Sequence, residues 1–275
     1  MRITVRFATR VGKSIFMARI LITGSSQGLG LMAGQLLVRT GHNVVLHARN
    51  ERRAMDARAA LPGAEDVLVG DLSSIDQMGW VAEQANASGR FDAVIHNAGV
   101  GYAERRAVTA DGLNRLFAIN VLAPYLLTAL ITPPDRLVYL SSGMHQRGSA
   151  DLGDPQWRNR WWWRSRQAYS DSKLFDVLLA FGVARLWPRV RSNALEPGWV
   201  PTRMGGEGAT DDLDQGHITQ AWLAVSDDAA ADVTGEYFFH RRPLEPAPVT
   251  RDVDAQEALL DYCAGLTRTP LPAMV

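Results

Sequence analysis

An apolar segment that runs directly into a cluster of glycines limits this chain to a small set of folds. Residues 18–23 read Ala-Arg-Ile-Leu-Ile-Thr, and Gly24, Gly28 and Gly30 follow at once. The apolar run predicts a short buried strand, and a helical pattern then extends to about Thr40. Glycine lets the backbone turn tightly and approach a ligand, while free N–H groups at a helix start favour a phosphate. The segment therefore predicts a phosphate-binding turn, with a plain glycine-rich turn as the alternative.

The rest of the chain repeats this alternation of apolar strands and helices. We expect strands at about 18–24, 42–49, 66–72, 91–96, 136–141, 191–195 and 236–240, and further helices at about 109–130 and 167–186. Strands that alternate with helices form parallel βαβ units, whose sheet is covered by helices on both faces. We therefore predict one doubly wound, three-layer α/β domain of the Rossmann type over residues 18–275. Loops at 143–168 and 203–216 are predicted to form the substrate wall.

Composition excludes several classes of function. The chain has 275 residues, 47% of them hydrophobic, and its 29 basic residues balance 29 acidic ones. This balance gives no global field for nucleic acid or an anionic membrane, so we expect neither as a partner. No apolar run is long and uncharged enough to span a bilayer. The single cysteine, Cys263, excludes an internal disulfide and favours a reducing compartment, so we expect a cytoplasmic protein without a metal site.

Residues 1–17 differ in composition from the predicted domain. They contain four basic residues and no acidic one, namely Arg2, Arg6, Arg10 and Lys13. This composition is typical of an organelle transit peptide. Met17, however, lies one residue before the first strand and would make an ordinary start. An upstream start or a loose tail is therefore the preferred interpretation, and targeting is the alternative.

A tyrosine and a lysine four positions apart supply a reactive pair. Twenty-seven of the 29 basic residues are arginine, yet position 173 holds a lysine and follows Tyr169 at helical i,i+4 spacing. A compact ammonium beside a phenol lowers the pKa of that phenol from its usual value of about 10. Lysine suits this task better than arginine, whose guanidinium always stays charged and spreads its donors in a fork. The pair Tyr169 and Lys173 therefore predicts acid/base chemistry.

Further motifs follow in a fixed order along the chain. They are Thr23-Gly24-Ser-Ser-Gln-Gly28-Leu-Gly30, His96-Asn97-Ala98-Gly99, Asn120 in a predicted helix, Ser141-Ser142-Gly143, Tyr169-Ser-Asp-Ser-Lys173 and Glu196-Pro197-Gly198. Together they resemble the short-chain dehydrogenase/reductase family, with its Thr-Gly-x-x-x-Gly-x-Gly and Tyr-x-x-x-Lys patterns. The resemblance runs from about residue 18 to residue 239. Tyr169 follows Ser142 by 27 residues, which is closer to the retinol-dehydrogenase-like or WW-domain-oxidoreductase-like branch than to the compact members.

The resemblance implies a catalytic tetrad. Tyr169 would be the acid/base, and Lys173 would hold the cofactor ribose. Ser142, the second of the two serines, would bind the substrate oxygen, and Asn120 would hold a water that links Lys173 to solvent. His96 stands where the family has asparagine, and we interpret it as a structural residue. Family members are often dimers or tetramers, so a homo-oligomer is an open expectation.

The resemblance also implies a dinucleotide site assembled from all of these motifs. Its predicted residues are Gly24, Ser26, Gln27, Gly28, Leu29, Gly30, Asp71, Leu72, Asn97, Ala98, Gly99, Tyr169, Lys173, Pro197, Gly198, Val200 and Thr202. Asp71 would contact the adenine, although Ser73 or Ser74 could simply cap a helix there. Thr202 would meet the nicotinamide carboxamide.

The end of the second strand bears on the choice of cofactor. An NAD-specific protein would carry an acid there to bind the ribose 2′-OH, whereas this chain has Arg49, with Arg52 and Arg53 just beyond. Arginine makes charge-assisted hydrogen bonds to phosphate, so NADP is favoured over NAD. The alternative is that Arg49 is an ordinary surface charge in an arginine-rich chain.

These observations favour an NADP(H)-dependent oxidoreductase that interconverts a carbonyl and an alcohol on a small, fairly apolar molecule. A non-catalytic NADP(H) sensor or scaffold is one alternative, and the intact tetrad argues against it. A nucleotide-sugar epimerase or dehydratase is another, and the glycine spacing and the short segment after the seventh strand argue against that. Tryptophans and arginines at 158–164 could suggest a surface that stacks nucleic acid, but a lid or packed insertion is preferred.

Overall fold

The computed structural model describes residues 17–103, 105–158 and 163–274. Within these ranges one sheet contains β1 (Arg19–Ile22), β2 (Asn43–Ala48), β3 (Asp66–Val69), β4 (Ala93–His96), β5 (Arg136–Leu140), β6 (Arg191–Glu196), β7 (Tyr237–Phe239) and β8 (Arg242–Pro243). The strand order is β3-β2-β1-β4-β5-β6-β7-β8. Every neighbouring pair is parallel except β7 and β8. The order reverses between β1 and β4, where open α/β sheets bind ligands beyond the carboxyl ends of their strands.

Helices cover both faces of the sheet. They are α1 (Gly28–Arg39), α2 (Glu51–Ala60), α3 (Ile75–Ala87), α4 (Arg115–Phe117), α5 (Ala123–Leu130), α6 (Ser165–Leu186), α7 (Leu213–Gly216), α8 (Ile218–Val225) and α9 (Val253–Thr267), with 3₁₀ turns at Gly143–Arg147 and Pro248–Arg251. One buried core packs α3, α5, α6 and α9 on the sheet, and a second packs α1, α2 and α8 on the opposite face. The predicted three-layer, doubly wound α/β fold is therefore confirmed.

The helix predicted at about 109–130 begins later and is not uniform. Asn114 caps it, because its side-chain oxygen accepts hydrogen bonds from the backbone N–H groups of Leu116 and Phe117. Between α4 and α5 the helix widens into a π-helical segment, Ala118–Leu122. Pro124 has no N–H to donate to the carbonyl of Asn120, so the ordinary i,i+4 bond is impossible there. Single π turns inside helices are frequent at functional sites, and this one contains Asn120.

The far edge of the sheet contains a strand that the sequence analysis did not predict. β8 pairs antiparallel with β7 through a two-residue turn at His240 and Arg241, whose φ angles are 46° and 64°. Such turns normally signal themselves by glycine or asparagine, and this one uses neither. The residue pattern therefore gave no indication of this turn.

Several sequence predictions lie outside the described residues. These are the four cations of residues 1–16 and, in the insertion, Arg160, Trp161 and Trp162. Cys263 is buried on α9 as a free thiol. Among the helices of the described ranges, none combines the length and the apolar character needed to cross a membrane.

Candidate active site

The glycine turn lies where β1 meets the end of β4. Gly24 and Gly28 have φ angles of +62° and +60°, which side-chain-bearing residues rarely adopt. A Cβ atom on Gly24 would lie 2.7 Å from the Cα of Ala98. One on Gly30 would lie 2.4 Å from the side-chain nitrogen of Asn97. The glycines are therefore needed both for the turn and for the close approach of the Asn97-Ala98 segment.

Hydrogen bonds from β4 hold the same turn in place. The side-chain nitrogen of Asn97 donates to the carbonyls of Thr23 and Gly24, at 2.9 and 3.1 Å. The hydroxyl of Thr23 accepts from the backbone N–H groups of Asn97 and Ala98, each at 3.0 Å. Two motifs that are more than 70 residues apart in the chain thus form one unit.

A histidine that the sequence analysis did not single out ties the turn to β2. Nδ1 of His47 accepts from the backbone N–H of Gly24 at 3.0 Å, and Nε2 donates to the carbonyl of Gly70 at 2.9 Å. Burial lowers the pKa of His47 to about 4, so the ring is neutral, as the acceptor role of Nδ1 requires. The only signal in the sequence was a polar residue inside an otherwise apolar strand.

The described residues around this turn fit a dinucleotide. α1 begins at Gly28, and the side chain of Gln27 at its N-cap makes no capping hydrogen bond. The first N–H groups of the helix therefore keep their capacity to bind an anion. A Cβ on Gly28 would meet no atom within 4 Å, so open space lies over the turn. Leu29 and Val200, two predicted contacts, converge on Gly216, where a Cβ would lie 3.0 and 3.1 Å from them.

The arginines predicted at the 2′-phosphate differ in their surroundings. Arg49 is exposed directly after β2 and forms no ion pair with any described residue. Arg53 is directed towards Asp56, with a nitrogen–oxygen distance of 3.5 Å. Arg52 is exposed on the first turn of α2. Arg49 and Arg52 are therefore the two exposed arginines after β2 that are accessible to a 2′-phosphate.

Asp71, the predicted adenine contact, is exposed after β3. Its carboxylate accepts from the backbone N–H of Ser73 at 2.9 Å. Ser74 occupies the N-cap of α3 without a capping side-chain bond. Instead, Asp111 accepts from the backbone N–H of Ile75 at 2.9 Å. The cap of α3 thus comes from a distant loop and not from the serines that the sequence suggested.

The four residues of the predicted tetrad come together at the carboxyl ends of β4 and β5. Nζ of Lys173 lies 5.8 Å from the ring centre of Tyr169, one helical turn away on α6. Ser142, which follows β5, lies close enough to the Tyr169 phenol for its hydroxyl to lower the pKa of that phenol. The side-chain nitrogen of Asn120 donates to the hydroxyl of Ser172 at 3.1 Å. The π segment, the end of β5 and α6 therefore bring the tetrad to one place.

Gly99 lies beside a gap between Asn120 and Lys173. A Cβ at this position would lie 3.5 Å from Oδ1 of Asn120 and 3.7 Å from Nζ of Lys173. Asn120 is held there by Val100, whose N–H donates to Oδ1 at 2.8 Å and whose carbonyl accepts from Nδ2 at 3.1 Å. Glycine at position 99 thus keeps open the space that a ribose or a water at Lys173 needs.

The structure separates the two candidate serines. The hydroxyl of Ser141 is buried and donates to the carbonyl of Lys173 at 2.7 Å. Ser142 is partly exposed, accepts from the N–H of Met144 at 3.3 Å, and also contacts Tyr169. Ser141 therefore joins β5 to α6, whereas Ser142 faces the space beside the phenol.

The pKa of Tyr169 is not simply lowered by Lys173, as the sequence suggested. Burial raises the pKa of its phenol, and the Lys173 ammonium and the nearby Ser142 hydroxyl act against this rise. The lowering effect expected from Lys173 is present, but burial outweighs it. The phenol is therefore protonated at neutral pH in this environment.

A buried carboxylate, Asp176, was missed by the sequence analysis. Its Oδ2 accepts from Nζ of Lys173 at 2.8 Å, and the two side chains are only 3% and 7% exposed. Lys173 also donates to the carbonyl of Leu140 at 2.7 Å. Burial raises the pKa of Asp176 to about 6, while Lys173 opposes the rise. The available signal was an acid three residues after the lysine, on the same helical face.

The insertion before α6 is anchored by a second aspartate of that helix. Oδ2 of Asp171 accepts from the indole N–H of Trp157 at 3.0 Å. Oδ1 accepts from the backbone N–H of Ser149 at 2.9 Å and from the side chain of Gln167 at 2.8 Å. The buried Asp171 thus gathers three parts of the predicted substrate wall around one carboxylate.

The segment after β6 forms the other wall. Gly198 has a φ of +85°, and the following N–H, of Trp199, donates to Asp211 at 2.6 Å. The hydroxyl of Thr202 accepts from the N–H of Gly205 at 3.2 Å. Burial raises the pKa of Glu196, whose carboxylate lies against Gly143, next to Ser142. An acidic group therefore borders the predicted substrate space.

Metal-ligand geometry is not found in the described part of the chain. Within residues 17–103, 105–158 and 163–274, no three histidine, cysteine or acidic side chains are placed to share a metal ion.

Comparison with known proteins places this site in context. Residues 18–147 match the family model for short chain dehydrogenases. The chain is 42% identical to short-chain dehydrogenase chyC of Penicillium rubens, over 94% of this chain and 100% of that one. It is 29% identical to human retinol dehydrogenase 13, over 97% and 88% of the two chains. The crystal structure of an uncharacterized protein from Mycobacterium paratuberculosis is similar with a TM-score of 0.80 and 27% identity, over 93% and 95%.

These similarities, together with the fold and the Tyr-Lys site, define an oxidoreductase built on a Rossmann-type sheet. The chain belongs to the short-chain dehydrogenase/reductase family, in its retinol-dehydrogenase-like branch. The family and the branch predicted from the motifs are confirmed.

Proposed function

We propose that this protein is an NADP(H)-dependent oxidoreductase that interconverts a carbonyl and an alcohol on a small, fairly apolar molecule. The observation that carries the proposal is the convergence of Ser142, Tyr169 and Lys173. The serine hydroxyl and the lysine ammonium both lower the pKa of the phenol, and the ammonium lies 5.8 Å from the phenol ring. Such a cluster supplies a proton donor and a polarising hydrogen bond at the same oxygen atom.

In this proposal, bound NADPH supplies the hydride that reduces the carbonyl carbon. Tyr169 donates its phenolic proton to the carbonyl oxygen, and Ser142 donates a hydrogen bond to the same oxygen. The raised pKa of Tyr169 suits this direction, because the phenol enters the reaction protonated. For alcohol oxidation, the same residue accepts the hydroxyl proton as phenolate.

Lys173 and Asn120 act behind the phenol. An ammonium has three N–H donors, and the Lys173 donors reach Leu140 and Asp176 with two of them. The third is left for a ribose hydroxyl of the cofactor. Asn120 lies across the gap at Gly99 and is proposed to hold the water that connects Lys173 to solvent.

The preference for NADP rests on Arg49. Its guanidinium is exposed at the end of β2 and has no acidic partner among the described residues. A 2′-phosphate is the chemical group that such an arginine binds most strongly. Arg52 is a second partner, whereas Arg53 is directed towards Asp56.

The apolar character of the substrate is supported by side chains around the phenol. The ring of Tyr102 contacts that of Tyr169 edge-on, with centres 5.8 Å apart. Trp199 and Met204 are 48% and 45% exposed, which is high for residues of their size. Met204 lies against the chain at Gly101, where a Cβ would approach it to 2.7 Å. An exposed apolar rim of this kind is typical of a binding site.

The test begins with titration of the purified protein with NADPH and NADH separately, followed by NADPH oxidation with a panel of aldehydes, ketones and quinones. We expect NADPH to bind at least about 10-fold more tightly and at least one panel member to be reduced. Tyr169→Phe should lower turnover about 10²- to 10⁴-fold and leave NADPH affinity within about 2-fold, because it removes one proton and little surface.

The other outcomes separate the alternatives. Binding of NADPH without turnover of any carbonyl would favour the sensor or scaffold. Binding of neither nucleotide, or normal turnover by Tyr169→Phe, would contradict the proposal.

A further inference from the structure

The proposed mechanism assigns no role to one buried charged residue of α6, Asp176. Asp176 lies directly behind the Tyr169-Lys173 pair, with its side chain only 3% exposed. Among the described residues, the one hydrogen bond of its side chain is with Lys173, at 2.8 Å. A carboxylate that is removed from water in this way is costly unless it is paired. Its single partner is a residue proposed to hold the cofactor and to assist the phenol.

The contacts of Lys173 show how Asp176 orients the Lys173 ammonium. Nζ donates to Asp176 and to the carbonyl of Leu140, at 2.8 and 2.7 Å. Two fixed acceptors determine the direction of the remaining N–H, because the three donors of an ammonium are held in tetrahedral geometry. An uncharged residue at position 176 would leave the lysine with one strong partner, at Leu140. The carboxylate therefore constrains where the third donor is directed.

We propose that Asp176 is a positioning residue that, as the counter-ion of Lys173, orients the ammonium beside Tyr169. Its charge then also affects the pH at which Tyr169 loses its proton. The proposal rests on the proposed function in assigning Tyr169 and Lys173 their roles. Asp176 itself touches neither substrate nor cofactor in this scheme, since it lies beneath the lysine on the interior side of α6.

The charged surroundings of the pair are simple. Lys173 and Tyr169 face Asp176 from the same helix. The charge of Asp176 also acts on Tyr139 of β5 and Tyr237 of β7. Burial raises the pKa of both phenols, which stay neutral. Tyr102, from the loop after β4, is the remaining titratable neighbour of Tyr169. Lys173 is thus the one cation among the described groups that act on Asp176.

The direction of the effect follows from these charges. The Lys173 ammonium lowers the pKa of Tyr169, and the Asp176 carboxylate raises it. Removal of the carboxylate takes away a charge that raises the pKa of both Tyr169 and Lys173, so the pair loses its first proton at lower pH. Alcohol oxidation, which needs the phenolate, then reaches its plateau at lower pH. Carbonyl reduction, which needs the phenol, declines at lower pH.

The test compares the wild type with Asp176→Asn, which keeps the shape of the side chain and removes its charge. Ultraviolet difference titration of the cofactor-free protein, with Tyr169→Phe as the reference that lacks this signal, reports the midpoint of Tyr169. We expect the midpoint to fall by about one pH unit in Asp176→Asn. The pH profile of kcat/KM should move in the same direction, and the affinity for NADPH should fall several-fold because Lys173 is less well oriented.

Asp171→Asn is the matched control. Asp171 is also a buried aspartate of α6, but its partners are Trp157, Ser149 and Gln167 and not Lys173. We expect its Tyr169 midpoint to equal that of the wild type, whatever happens to substrate affinity. This contrast separates loss of a buried carboxylate in general from loss of the counter-ion of Lys173.

A folded Asp176→Asn protein with an unchanged Tyr169 midpoint would overturn the proposal and leave Asp176 a purely structural residue. Asp176→Ser provides a second uncharged variant if the first does not fold, and the same shift is expected of it. The titration uses no cofactor or substrate, so it remains informative if the panel of carbonyls fails. A shifted midpoint without NADPH binding would contradict the proposed function and retain the electrostatic role of Asp176.

Discussion

The two walls of the active site are held together by different kinds of contact. On the cofactor side, the glycine turn is connected to the neighbouring strands by backbone groups and by Thr23, His47 and Asn97. On the substrate side, the insertion before α6 is held mainly by side chains: Asp171 accepts three hydrogen bonds, and the buried Gln156 is bonded to Asn114 and Tyr262. The first wall is part of the sheet, and the second is attached to it.

This difference teaches where the protein tolerates change. A wall built from strand ends and glycines has little room, because its atoms already approach as closely as backbone allows. A wall attached through a few side chains can be exchanged or displaced while the sheet below stays intact. We therefore expect substitutions in the first wall to abolish nucleotide binding and substitutions in the second to change substrate affinity.

The largest effect is expected for Gly30→Ala. Its Cβ would lie 2.4 Å from the side-chain nitrogen of Asn97 and 3.0 Å from the carbonyl oxygen of Gly24, so the turn must move. We expect NADPH affinity to fall by more than about 100-fold, measured by fluorescence titration. Gly79→Ala on α3 is the control, since a Cβ there meets nothing within 4 Å and should stabilise the helix by about 0.5–1 kcal/mol. Equal NADPH affinity in both variants would show that the turn is looser than its contacts indicate.

Arg49→Asp should have the next largest effect. It removes the partner of the 2′-phosphate and introduces repulsion, so NADPH affinity should fall about 10- to 100-fold while NADH affinity rises or holds. Arg58→Asp makes the same change of charge at the other end of α2, where Arg58 faces Asp66 at 3.5 Å. The ratio of the two affinities should be normal in that control. An unchanged ratio in Arg49→Asp would place the 2′-phosphate elsewhere.

A smaller and different effect is expected for Asp171→Asn. One amide nitrogen would face an N–H donor of Trp157, Ser149 or Gln167, which leaves a buried group unsatisfied and costs about 1–3 kcal/mol of stability. Steady-state kinetics should show KM for the carbonyl substrate raised several-fold, with NADPH affinity unchanged. Asp261→Asn, on the exposed face of α9, should alter neither quantity. Loss of NADPH binding in Asp171→Asn would mean that the two walls are coupled.

The smallest effect is a dependence of stability on pH through His47. Burial holds the folded-state pKa of His47 at about 4, below its ordinary 6.5, so the folded state prefers the neutral ring. The stability that this preference contributes is complete above pH 6.5 and is lost as the pH falls towards 4. Between pH 7.5 and pH 5.5 the free energy of unfolding should fall by about 1 kcal/mol from this residue.

Urea unfolding at several pH values measures this dependence. His47→Asn should be less stable at pH 7.5, because it loses the hydrogen bond to Gly70, but its stability should fall less steeply below pH 6.5. His96, whose pKa burial lowers to about 3, contributes a similar slope in both proteins. Equal slopes in the two proteins would show that His47 does not link the cofactor wall to pH.

Much of this molecule could be predicted before its structure. Apolar runs and glycine positions locate β1 to β7, and helical periodicity locates α1, α6 and, with an earlier start than observed, the α4–α5 segment, because both periodicities are local properties of the chain. The order of the motifs placed Ser142 at the end of β5, and Tyr169 and Lys173 on the helix that follows, at one edge of a parallel sheet. Local pattern together with parallel topology was sufficient for this much.

Other features were decided by contacts between distant segments. The choice of Ser142 over Ser141 as the serine beside Tyr169 follows from which hydroxyl α6 covers, and α6 also turns Asp176 towards Lys173. Burial keeps the ring of His47 neutral, and its hydrogen-bond partner Gly70 lies 23 residues away in the chain. The sequence alone determined the fold and the chemical groups of the site. Only the tertiary structure decided their partners and charges, because hydrogen bonding and desolvation depend on residues that are far apart in the chain.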